Sequence, residues 1–339
     1  MPCSISFRGP PELLLKTMVK AEKPGIRQVL RTLELSTPLT RAFYNWRYHQ
    51  RLKANAIEHA RSHNADAIFY KESVDIVKND RIVRINRKHA IYSGAIAEEF
   101  DRYFGAVQPT QEGGRAVVDY STQKVHRLLD GLEFEFASFP EQSSVIDEYF
   151  EWYTPGSGET VFDVGANVGV ASYRLSKLVG PAGRVISFEP DPVSLPVLRN
   201  NIERHKLSNV TIVSSAMAEQ DGSAEFCSEG TIDSTMREYI QRDTVGETVV
   251  VPVLSFKTAC ETYGVPAFCK IDIEGAELGL LKGAIDILSS HKIHFALDTG
   301  HIVNGEYTSK RVEDAFKSAG YFSETRTTPC GITTYARPA

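Results

Sequence analysis

Charged side chains alternate with isoleucines in Lys270-Ile271-Asp272-Ile273-Glu274-Gly275-Ala276-Glu277. A central parallel strand is ordinarily apolar on both faces. Here period two puts Lys270, Asp272 and Glu274 on one face at the strand's carboxyl end. Ionised groups there are costly unless they are paired or face a wet crevice. Either Lys270 and Asp272 form a structural ion pair, or the three charges line a site. A second strand-like run, Phe295-Ala296-Leu297, leads into Asp298-Thr299-Gly300-His301. His301 is the one histidine of nine that the expected topology carries over the same crevice. An imidazole suits general base work near neutral pH, although a histidine that merely caps a loop fits the position as well.

A ligand-holding turn lies upstream, in Thr160-Val-Phe-Asp-Val-Gly-Ala-Asn-Val-Gly169. Val161, Phe162 and Val164 read as a buried strand, and Ala171, Leu175 and Leu178 as a helix behind the turn. Glycines let backbone approach a ligand closely, and a helix N-terminus offers free N–H groups to an anion. A dinucleotide and S-adenosylmethionine both suit such a turn. The spacing Asp163-x-Gly165-x-Asn167-x-Gly169 is not the dinucleotide fingerprint, and an acidic residue before the turn repels a pyrophosphate. Asp163 could instead accept from a methionine ammonium. The next strand ends Phe188-Glu189-Pro190, where the Glu189 carboxylate can take both ribose hydroxyls, with adenine near Ser215, Ala216 and Met217. The plainer alternative makes Gly165 and Gly169 turn residues only, and Glu189 a neighbour of a helix cap.

These residues need a scaffold. From Thr160 onward the pattern predicts strands at 160–164, 184–188, 210–213, 267–273 and 292–298, with helices at about 170–179, 192–206, 255–262 and 277–289. Alternation of this kind predicts an α/β fold with a mostly parallel sheet and helices on both faces. Ligands bind beyond the carboxyl ends of such strands. Tyr321–Thr325 and Ile332–Tyr335 read as a C-terminal antiparallel hairpin, and the insertion at 223–253 could cover the site. Upstream, Tyr149, Phe150, Trp152 and Tyr153 read as an aromatic helix after a linker at 140–144. Ala67–Tyr70, Val74–Val77 and Ile82–Ile85 read as a small antiparallel element, and Pro38 as the start of a helix carrying Phe43, Trp46 and Leu52. We expect an N-terminal accessory region over residues 1–138 and the sheet domain over 139–339.

The 339 residues carry a net charge of -5, which argues against a general nucleic-acid binder and for a small-molecule partner. Five scattered cysteines without C-x-x-C spacing suggest neither a disulfide framework nor a zinc site. The short Leu13–Leu15 run is too brief for a signal-peptide core, and no stretch is apolar enough to span a bilayer, so the protein reads as cytoplasmic. From Arg27 to Arg61 seven Lys or Arg face two Glu, a solvated helix face or a surface for a membrane or partner.

Val161-Phe-Asp-Val-Gly-Ala-Asn-Val-Gly169, Phe188-Glu-Pro190, Val251-Pro-Val-Leu254 and above all Lys270–Glu277 followed by Leu281-x-Gly-Ala284 resemble the FkbM family of S-adenosylmethionine-dependent methyltransferases over about residues 140–301. The resemblance implies a class I methyltransferase fold, Rossmann-like, and methyl transfer to a hydroxyl of a sugar or natural product. The cofactor S-adenosylmethionine would then be held by Asp163, Gly165, Asn167, Gly169, Glu189, Pro190, Ser215 and Ala216. Asp272 and His301 would orient or accept the acceptor's proton, and Lys270 and Glu274 would position one another and the acceptor. A divalent metal bridged by Asp272 and Asp298 is left open, but two carboxylates do not by themselves specify one, and no metal ligand is assigned. A dinucleotide oxidoreductase and a non-catalytic adenosylmethionine-binding module remain alternatives, and a homodimer is left open.

Overall fold

The computed structural model describes residues 38–140, 143–231, 234–239, 246–328 and 331–339. The chain divides between Asn55 and Ala56 into two compact units. A helix, Pro38–Ser62, spans that division. Pro38 takes its first position, where a missing N–H leaves no bond unmade. Residues 1–37, with Cys3 and the Leu13–Leu15 run, lie outside the described residues, as does Cys330. No helix among the described residues is long and apolar enough to cross a membrane.

The second unit opens with strands β1 (Asp66–Phe69), β2 (Ser73–Lys78) and β3 (Arg81–Asn86), followed by β4 (Thr110–Glu112) and β5 (Arg115–Tyr120). The expected antiparallel element is larger than its sequence suggested. It is a five-stranded mixed sheet in the order β1-β2-β3-β5-β4, with β5 parallel to β3. The helical crossover 87–104 makes that parallel pairing reachable, since no tight turn can join parallel strands. A hairpin of β6 (Lys124–Arg127) and β7 (Glu133–Phe136) follows. The boundary expected at 138/139 falls inside this second unit.

The aromatic helix is shorter than expected. It covers Ser143–Glu148, and the aromatics lie beyond its end. Phe150 and Tyr153 pack on Phe268, whereas Trp152 stacks on Tyr335 and Phe322. Partners this far apart along the sheet do not lie over one helix face, on which only residues three or four apart are neighbours.

From Thr160 the chain alternates. Strand β8 (Thr160–Val164) leads to helix 170–179, β9 (Arg184–Phe188) to helix 194–204, and β10 (Val210–Val213) to four strands of the insertion. These are β11 (Ala216–Ala218), β12 (Gly222–Ser228), β13 (Thr235–Met236) and β14 (Glu247–Ser255). Helix 256–263 then precedes β15 (Phe268–Ile271), and helix 277–290 precedes β16 (His294–Asp298). The short pair β17 (Ile302–Val303) and β18 (Glu306–Tyr307), helix 308–318, β19 (Tyr321–Thr328) and β20 (Gly331–Pro338) complete it. Seven strands form one sheet in the order β10-β9-β8-β15-β16-β20-β19. The first five are mutually parallel, and β20 and β19 are antiparallel.

Strand alternation separates the two faces. Phe162, Val164, Ile186, Phe188, Cys269 and Ile271 share a core with Phe256, Leu280, Leu281, Val312 and Phe316 of the helices that follow. The intervening residues Ser187, Asp163 and Lys270 stand side by side in register on the other face, where Ser172 of helix 170–179 meets them. The insertion builds its own sheet, β11-β14-β12-β13, around Phe226, Met236, Val251 and Val253.

Candidate functional site

The glycine turn is held by backbone approach. Gly165 has φ +78°, and a Cβ added there would stand 1.8 Å from the carbonyl oxygen of Asp272. No side chain fits, because the loops after β8 and β15 touch at this point. The Gly165 and Ala166 N–H groups both donate to Phe188 O at 3.0 Å, tying the turn to β9. Asn167 is left-handed at φ +46°, and its N–H donates to Glu189 Oε2 at 2.7 Å. Glu189 Oε1 accepts from the Asp191 N–H at 2.7 Å. Burial, and then the charge of Asp191, push the Glu189 carboxyl up to about 8. Two backbone donors thus fix its orientation, and each oxygen keeps a further lone pair.

Two residues expected at the ligand lie behind the turn instead. Asp163 is fully buried, accepts from Ser172 Oγ at 2.6 Å and lies 3.5 Å from Lys270 Nζ. Lys270, also buried, donates to Gly165 O at 2.7 Å and sits over the Tyr149 ring. Period two puts Lys270 on one strand face, and there it meets Asp163 across the strand pair. The pair braces the turn from below. Gly169 caps helix 170–179 at φ +92°, and a Cβ there would meet Leu198 Cδ1 at 2.6 Å, so helix packing demands this glycine.

Across the crevice the charges are crowded. Strand β15 stops at Ile271, and Asp272 follows, accepting from Tyr149 Oη at 3.3 Å. Glu274 turns left-handed at φ +53° and Gly275 at φ +107°, which ends the alternation expected through residue 274. Glu277 opens the next helix, fully buried, and accepts from the Gly275 N–H at 3.0 Å. His301 fills the space among them. Its Nδ1 is 2.9 Å from Glu277 Oε1, and its Nε2 is 3.3 Å from Glu274 and 3.7 Å from Asp272. Burial pulls this imidazole down, but the charges and hydrogen bonds of Glu274 and Glu277 prevail and hold it well above its usual value. Held between these acids, His301 is placed to position Asp272 and Glu274. Asp298, at the end of β16, accepts from the Gly300 N–H at 2.8 Å, and burial together with Asp272 pushes it up to about 6.

One crevice joins the two halves. Gly165, Asn167, Glu189, Pro190, Ser215 and Ala216 line it on one side and Asp272, Glu274 and Asp298 on the other. Asp163, Gly169, Lys270 and His301 stand behind these walls. The insertion reaches the crevice, as its place in the chain suggested, through Phe226, Thr231, Ser234 and Met236, which the sequence did not single out; nor did it single out Arg102 from the short helix Phe100–Phe104. Sequence reasoning also missed Glu277, although a glutamate right after a Gly-Ala turn is a helix-start signal.

Residues 163–323 match the family model described as the methyltransferase FkbM domain. Over 56 residues the chain is 36% identical to the probable cobalt-precorrin-6B C(15)-methyltransferase (decarboxylating) of Sulfolobus acidocaldarius, a stretch of 16% of this chain and 29% of that protein. Among solved structures it is similar to methyltransferase FkbM from Methylobacillus flagellatus, at 20% identity and TM-score 0.40, over 57% of this chain and 50% of that one. A putative SAM-dependent methyltransferase from Streptococcus mutans matches at 12% identity and TM-score 0.41, over 86% and 81%. The M. jannaschii TYW2 complex with AdoMet matches at 17% identity and TM-score 0.37, over 64% and 85%. The family match is to a methyltransferase domain, which agrees with S-adenosylmethionine as the expected cofactor.

Proposed function

Residues 163–323 being an FkbM methyltransferase domain, we propose that the protein is a class I O-methyltransferase acting on a hydroxyl of a small molecule, a sugar or natural product. The observation that carries this reading is the crevice itself, which sets Glu189 and the Gly165–Asn167 turn opposite a group of carboxylates. Glu189 takes the ribose hydroxyls, its two backbone donors leaving lone pairs for them. Pro190, Ser215 and Ala216 flank the adenine, and Phe226 and Met236 give it an apolar wall. Asn167 and the turn hold the methionine end.

When bound, S-adenosylmethionine would supply a sulfonium methyl: the acceptor oxygen would bond to that carbon as the carbon–sulfur bond breaks, the neutral thioether would leave, and the hydroxyl proton would have to be removed. Asp272 stands where the turn and the acid group meet, with its backbone against Gly165, and we assign it to orient the acceptor hydroxyl and take that proton. Glu274 orients the acceptor beside it, and His301 keeps both carboxylates in place. Most of the rate enhancement comes from holding the oxygen in line with the methyl. Arg102, donating to Glu99 at 2.8 Å, brings the accessory region to the crevice, so that region and the insertion select the acceptor.

The test is incubation with methyl-labelled S-adenosylmethionine and fractionated small-molecule extract. The reading expects a labelled O-methyl product that disappears with Asp272→Asn. Label on nitrogen or carbon, or label on no small molecule, contradicts it.

A further inference from the structure

We propose that the acid group beside the acceptor is a divalent cation site, with Asp272, Asp298 and His301 Nε2 as protein ligands and Mn²⁺ or Mg²⁺ as the class of ion. The site stands on geometry, while its role, holding the acceptor oxygen, rests on the methyltransferase reading above. The ligand atoms of these three residues lie within 4.8 Å of one another. They come from two separate segments: Asp272 just beyond the end of β15, and Asp298 and His301 from the end of β16 and the loop that follows it. Two chain segments converging on one point define a geometry that a solvated run of acids on one surface does not.

The second observation is Glu277. It is fully buried behind His301 and meets Nδ1 through Oε1 at 2.9 Å, while its Oε2, equally buried, has no hydrogen-bond partner. A carboxylate backing one imidazole nitrogen fixes the tautomer and directs the other nitrogen outward. This is the arrangement that metal-ligating histidines use. Here the outward nitrogen, Nε2, faces Asp272 and Glu274. Asp272, Glu277 and Asp298 stand about a single imidazole, an arrangement that suits a dication; on binding, the ion takes the place of the Nε2 proton. Carboxylate oxygens with one imidazole and no thiolate suit Mn²⁺ or Mg²⁺, and three protein ligands leave coordination positions for an acceptor's hydroxyls.

An exposed trio, His59, His63 and Glu98, offers a second place where an added metal could stick. The experiment therefore uses full-length protein carrying His63→Ala, stripped with chelator and titrated with Mn²⁺ by electron paramagnetic resonance. One tightly held Mn²⁺ per chain is expected. Asp298→Asn and His301→Ala should each weaken it at least tenfold, and Glu277→Gln by about 10- to 100-fold through the backing carboxylate. Circular dichroism and calorimetric binding of S-adenosylmethionine to each variant establish that it is folded. No bound Mn²⁺ up to millimolar concentration, or equal binding in folded Asp298→Asn and His301→Ala, overturns the site. Cofactor binding without Mn²⁺ binding removes this inference alone, and Mn²⁺ binding without cofactor binding removes the methyltransferase reading alone.

Discussion

Beneath the glycine turn Lys270 lies 3.5 Å from Asp163, Ser172 donates to the other oxygen of that carboxylate, and Glu189 is gripped by two backbone N–H groups. Beyond β15 and β16, by contrast, four carboxylates crowd around one imidazole. In the first half a buried lysine and backbone donors hold the acids from behind the crevice wall. The second gathers carboxylates about one imidazole at the crevice wall, where perturbed titratable groups mark a functional site. Stability should therefore reside in the donor half and turnover in the acceptor half.

The sharpest way to break that contrast is to remove Lys270. Lys270→Met leaves the buried Asp163 without its cation and should destabilise the fold by about 3–5 kcal/mol, measured by denaturant unfolding. Adding Asp163→Asn should recover most of that loss. If the double variant is as unstable as the single, the pair does not brace the turn.

Asp298→Asn tests the opposite half. It removes one of several repelling carboxylates, so the unfolding midpoint should hold or rise, within about 1 kcal/mol, while methyl transfer falls by at least tenfold. A variant that unfolds but keeps its activity would reverse the assignment.

A smaller effect concerns pH. Glu189 sits at about 8 in the folded protein against its ordinary 4.5, raised by burial and Asp191 and opposed by the Asp191 and Asn167 N–H groups and Lys270. The folded state thus binds more protons than the unfolded one between these values, so this group's stabilisation is complete below 4.5 and is lost as pH rises through 8. Glu189→Gln should flatten that slope in thermal unfolding measured from pH 5 to 8.5.

The sequence made the sheet legible because buried parallel strands are short apolar runs broken by glycine turns, and β8, β9, β10 and β16 fall within two residues of where they were expected. Glu189 was legible because it ends such a strand. Pairing across strands was not: the partner of Lys270 lies 107 positions away in sequence, and only register brings Asp163 beside it. Nor was the left-handed turn at Glu274, a conformation that its residue type disfavours and that the approach of two loops imposes. The five-stranded sheet escaped for the same reason as the lysine pair, since β5 joins β3 through a crossover rather than a hairpin. Nor were the neighbours of His301 legible, since Glu277 and Glu274 reach it only through the fold and pull on its charge more than its own type does.

The division of labour between the two halves is tested most directly by calorimetric titration of S-adenosylmethionine into the wild type, Glu189→Gln and Asp298→Asn. The account predicts one cofactor per chain, at least tenfold weaker binding in Glu189→Gln, and wild-type affinity in Asp298→Asn. Equal affinity in Glu189→Gln, or binding lost only in Asp298→Asn, would contradict it.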